Sequence, residues 1–84
     1  MNRVYQNVLA EHLALATQNV KAAQVAVECQ RNVVTRLSFE GHDTAKAEAM
    51  LVQLINSLMA TNADRDQLQV ELASERRLHP RTRN

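Results

Sequence analysis

From Arg3 to Phe39 the chain contains neither glycine nor proline, and its apolar residues recur every three or four positions. That spacing is the period of one face of an α-helix. One stripe runs Tyr5, Leu9, His12, Ala16, Val20, Ala23, Val27, Gln30, Val34, Leu37; a second holds Val4, Val8, Leu15, Ala22, Ala26 and Val33. At 100° per residue the two cover about half the helix circumference, more than a single partner helix covers. Beyond residue 43 the pattern resumes. Ala47, Leu51, Leu54, Leu58, Thr61, Arg65, Leu68 and Leu72 form one stripe, and Val52, Ile55, Met59, Ala63, Val70 and Ala73 form another.

Between the two patterned stretches lies Glu40-Gly41-His42-Asp43, which holds the only glycine of the chain. Gly41 suits the left-handed position just past a helix end. Asp43 is a preferred N-cap, and Thr44 and Glu48 suit the opening turn of a second helix, where acidic groups complement the dipole. Arg36 fits the end of the first helix. Arg76, Arg77 and then Pro80 mark the end of the second. The reading is a helix over about 3–39, a turn over 40–43, a helix over about 43–77 and a basic tail over 78–84. Polar and small residues cluster over 59–66, where Asn62 or Asp64 offers a cap for a third helix as the alternative.

A connection this short makes the helices antiparallel neighbours, setting Leu72 beside Leu9 and Arg65 beside Ala16. The predicted fold is an all-α, antiparallel hairpin of two long helices. One stripe of each helix closes the hairpin, and the remaining two are expected to form an apolar strip along one side. Strips of that extent mark association surfaces, so a second copy is expected to cover it, giving a homodimeric four-helix bundle. The candidate dimer face is Val8, Leu15, Ala22, Val33, Val52, Ile55, Met59 and Val70.

Composition points the same way. The chain has 84 residues, and its only aromatics are Tyr5 and Phe39. Alanine and valine bury little area each at roughly 25 cal/mol per Å², against chain entropy of roughly 1–2 kcal/mol per residue. Chains this short draw on disulfides, metals or self-association. Cys29 stands alone, so no intrachain disulfide forms, as suits a reducing compartment. The first twenty residues lack the apolar core of a signal peptide, and no apolar run reaches the ~18–20 residues of a membrane span. A cytoplasmic protein with no membrane contact is expected. The net charge of +1 is uneven: Arg76, Arg77, Arg81 and Arg83 carry the tail, and the preceding body holds six basic and nine acidic residues.

Residues 30–72 carry a resemblance. Val33 and Leu37, then Gly41-His42-Asp43-Thr44, then Ala47, Met50 and Leu51, and later Arg65-Asp66 with Leu68, resemble the core of short, uncharacterised helical proteins from rhizobia and related alphaproteobacteria. The most specific piece is the Gly-x-Asp-Thr turn. Many members of that group have histidines shortly before the Arg-Asp pair, where this chain has Thr61 and Asp64, so no role of those histidines carries over. The resemblance implies a bacterial protein, and it brings no activity, substrate or cofactor.

His42-Asp43 could be an acid/base pair, but adjacent turn residues point apart and a two-helix corner supplies neither nucleophile nor pocket; helix stop and cap explain both. His12, Cys29, His42 and His79 are scattered along a hairpin, whereas a metal needs three or four converging ligands. His12, Gln30, Thr61 and Arg65 interrupt the stripes and read as register-setting or rim positions. Cys29 reads as a small apolar filler rather than a reactive thiol. No catalytic residue, cofactor or metal site is predicted. The expected function is a non-catalytic structural or protein–protein interaction module, with a second copy or an unidentified protein as partner. The alternative is a nucleic-acid-binding accessory whose anion contacts are Arg76, Arg77, Arg81 and Arg83.

Overall fold

A computed structural model of the chain describes residues 2–80. Two α-helices account for most of them, α1 over Asn2–Phe39 and α2 over Ala45–Leu78, packed against each other as an antiparallel hairpin. Residues 59–66 lie within α2 without a break, so the three-helix alternative does not hold: Asn62 and Asp64 are helical rather than caps. The hairpin is a rod of 68 × 16 × 14 Å with a radius of gyration of 19.0 Å. A globular domain of this length has a radius of about 12 Å.

Burial follows a seven-residue repeat in both helices. With the seven positions lettered a to g, the seam of α1 takes Gln6, Leu13, Val20, Val27 and Val34 at a, and Leu9, Ala16, Ala23, Gln30 and Leu37 at d; all are buried or half-buried. In α2 the a positions are Thr44, Leu51, Leu58, Arg65 and Leu72, and the d positions Ala47, Leu54, Thr61, Leu68 and Glu75, again all buried or half-buried. A sustained a/d repeat of this kind specifies a left-handed coiled coil. The Gln6 side-chain amide reaches the carbonyls of Glu75 (3.4 Å) and His79 (2.8 Å), and this fixes the register. It sets Leu9 opposite Leu72, Ala16 opposite Arg65, Val20 opposite Thr61 and Gln30 opposite Leu51.

In the first two turns the repeat departs from the expected stripe. Tyr5 and His12 are exposed, and Gln6 and Leu13 occupy the seam in their place. The reason is the small mismatch between 3.6 residues per turn and a seven-residue repeat, which rotates the seam by about 20° per heptad on a straight wheel.

The corner is a Schellman turn. The His42 N–H donates to the Leu37 carbonyl (2.8 Å) and the Gly41 N–H to that of Ser38 (3.1 Å). Gly41 has φ +78°, the left-handed conformation the sequence predicts for it. One detail is corrected: Thr44, not Asp43, is the N-cap of α2, and its side chain makes no capping bond. Asp43 stands one residue earlier, where its carboxylate accepts from the Ala45 N–H at 3.0 Å. Two cap-forming residues are adjacent here, and the Asx turn of Asp43 delivers the chain into the helix without occupying the cap itself.

Candidate interaction surface

The seam absorbs its polar residues locally. Gln30 donates to the Ala47 carbonyl at 2.9 Å, which ties the two helices together near the turn. Thr17 and Thr61 donate back to the carbonyls of Leu13 and Ser57 in their own helices, a common way to satisfy a buried hydroxyl. Arg65 lays its stem along the seam and turns its guanidinium outward to Asp66, at 3.2 Å, as long cationic side chains do at the edge of an apolar core. No buried side-chain polar atom lacks a partner among the described residues.

His42 and Asp43 do not pair with each other. The imidazole lies 3.7 Å from Glu40 at an exposed position, while the Asp43 carboxylate is taken by the backbone of α2. Both are parts of the corner. Cys29 is a free, exposed thiol on the outer surface of α1, so it fills no core position. His12 is exposed as well. Among the described residues no group of three or more His, Cys, Asp or Glu side chains is placed to hold a metal ion, and no helix is long and apolar enough to cross a membrane.

Closing the hairpin leaves much apolar surface uncovered. Among the described residues the buried hydrophobic side chains are Leu9, Ala16, Val20, Val27 and Leu72, whereas twelve large hydrophobic residues are exposed, including Leu15 (57%), Val52 (57%), Met59 (64%) and Val70 (64%). The accessible surface is 6572 Å², compared with about 5,000 Å² for a compact monomer of this mass.

This uncovered surface does not form the single strip expected from the sequence. In α1 the second stripe falls at the c and g positions of the repeat, with Val8, Leu15, Ala22 and Cys29 at c and the half-buried Ala26 and the exposed Val33 at g, while Val4, Val25 and Phe39, also exposed, fall at f. In α2 it falls at b, e and f, with Val52, Met59 and Ala73 at b, Ile55 at e, and Ala63 and Val70 at f, while the exposed Met50 and Leu78 fall at g, on the groove side. In an antiparallel pair g faces g on one side and e faces e on the other, because the second helix reverses the sense of rotation. The two stripes therefore lie on opposite edges. The lining of an open groove of about 390 Å³ bears this out: His12, Leu15, Ala16 and Asn19 of α1 meet Thr61, Asp64, Gln67 and Leu68 of α2. Leu15 thus shares its side with polar Asp64 and Gln67, not with Val52, Met59 or Val70. The groove opens where the seam is thinnest, at Ala16 opposite Arg65 and Val20 opposite Thr61. Ile55, expected on the dimer face, is half-buried beside the seam.

At the far end of α2, Arg76 and Arg77 are exposed, while Arg81 and Arg83 lie outside the described residues. Comparison of the chain with family models, with curated proteins and with solved structures finds no match in any of the three.

Proposed function

We propose that the chain is a non-catalytic structural or protein–protein interaction module of the cytoplasm that acts as a homodimer. The observation that carries this reading is the imbalance between the seam and the surface: among the described residues five hydrophobic side chains are buried against twelve large ones exposed, and the rest of the seam is only half-buried. A thin two-helix seam rich in Ala and Val offsets chain entropy poorly, and covering a further apolar edge supplies what it lacks. The proposed kinship with the alphaproteobacterial group rests on the Gly41–Thr44 turn and adds no activity. Thermal unfolding tests the proposal, because folding coupled to association makes Tm rise with protein concentration. A Tm unchanged over a hundred-fold range of concentration would contradict it.

A second reading, nucleic-acid binding, draws on the exposed Arg76 and Arg77. Two to four arginine–phosphate contacts give an affinity that falls with salt at a slope of about −2 to −4 on logarithmic axes. Retention on DNA at low salt that disappears when residues 76–84 are deleted would favour it.

A further inference from the structure

We propose that the homodimer forms through the groove-side edge of α1, two copies of which pack antiparallel so that Leu15 of each lies on Ala26 of the other. The inference rests on the dimer reading and adds to it a face, an orientation and a register.

The choice of face follows from charge. The c and g positions of α1 carry no charged residue from Tyr5 to Val33, a distance of about 42 Å along the helix. The corresponding outer edge of α2 is broken by Glu48, Asp66 and Arg76 at its b and e positions. Desolvating those charges without partners would oppose association. The c and g positions of α1 themselves carry no such cost, with Asp64 of α2 lining the groove beside Leu15, and their repeat matches that of a helix-pairing seam.

The orientation follows from shape. The N-terminal half of the edge is bulky, with Val8 and Leu15, and the middle is small, with Ala22, Ala26 and Cys29. Parallel pairing would stack large on large and small on small, leaving voids at the alanines. Antiparallel pairing sets Leu15 on Ala26, large on small as a filled core requires, and closes each end with Val8 on Val33. A shift by one heptad in one direction would drop Val8 from the interface and place Arg36 opposite His12, and in the other would set Leu15 on the polar Asn19. In the register proposed, Asn19 of each copy lies about 2 Å along the helix from the two-fold axis, opposite Ala22 of the other, where a polar residue sets register.

Area is sufficient. The chain exposes about 1,500 Å² more than a compact monomer of its mass, and a standard interface takes about 800 Å² from each partner.

The native cysteine reports the geometry. In the antiparallel register the two Cys29 residues are ~25 Å apart, beyond the ~7 Å Cα separation that a disulfide spans, while His12 of one copy faces Cys29 of the other. Diamide oxidation of the full chain is expected to give no covalent dimer with the wild type and a covalent dimer with His12→Cys. Sedimentation equilibrium of Leu15→Glu and Met59→Glu completes the test. Leu15→Glu should weaken association by about 100-fold or more, whereas Met59→Glu should leave it unchanged, with helical circular dichroism confirming both folds. A covalent wild-type dimer, or a His12→Cys variant that fails to cross-link, would overturn the antiparallel register. Dissociation by Met59→Glu with Leu15→Glu still dimeric would overturn the choice of face and leave the dimer standing. A wild type that is monomeric throughout would remove the dimer itself.

Discussion

The closed seam of α1 and its open groove-side edge are built on the same repeat, yet they serve different ends. The seam alternates Val and Leu with Ala and admits Gln6 and Gln30, each of which hydrogen-bonds to a backbone carbonyl of α2. The edge has the same spacing, holds no charge from Tyr5 to Val33, and faces Asp64 and Gln67 across an open groove. Two apolar stripes on one helix therefore do not make one broad face. Each needs its own partner, and the hairpin supplies only the first.

The contrast is sharpened by substitutions graded across the two surfaces. Leu72→Ala should have the largest effect, because Leu72 is 4% exposed and pairs with Leu9 in the one layer where leucine meets leucine with both side chains buried. A cost of about 2–4 kcal/mol is expected in urea unfolding, enough to unfold much of the population at low protein concentration. Next is Gly41→Ala. A Cβ at Gly41 would meet no atom within 4 Å, so the cost comes from the left-handed backbone alone, about 1–2 kcal/mol. Gly41→Asn should recover part of that loss, since asparagine tolerates this conformation. Equal melting of the wild type and both variants would place the corner elsewhere.

Gln30→Ala removes the bond to the Ala47 carbonyl and should cost about 1 kcal/mol, measured in the same denaturation series. The smallest effect is expected on the outer edge of α2. Val70→Lys should shift stability by no more than ~0.5 kcal/mol, even though Val70 is as large and apolar as the valines of the seam. A loss of 2 kcal/mol or more there would mean that this edge, not that of α1, is covered in solution.

Much of this architecture is legible in the residues. Gly41 and the cap residues around it place the corner, and the absence of glycine and proline from Arg3 to Phe39 sets the first helix. The exact seam in the opening turns is less legible, because Tyr5 with His12 and Gln6 with Leu13 offer neighbouring phases of one amphipathic pattern. Gln30 and Thr61 show in the sequence as interruptions of the stripes, but their partners are backbone carbonyls, and a one-letter sequence does not display these. The arrangement of the leftover stripes differs from the sequence expectation for a geometric reason. Periodicity shows that a stripe exists on each helix, whereas the side it occupies depends on the antiparallel reversal that brings g against g.

Sedimentation equilibrium of the wild-type chain across a wide concentration range tests the central claim most directly. The account predicts a mass of about 19 kDa, twice the 9.5 kDa of one chain, giving way to monomer only at high dilution. A folded species of 9.5 kDa at every concentration would contradict it.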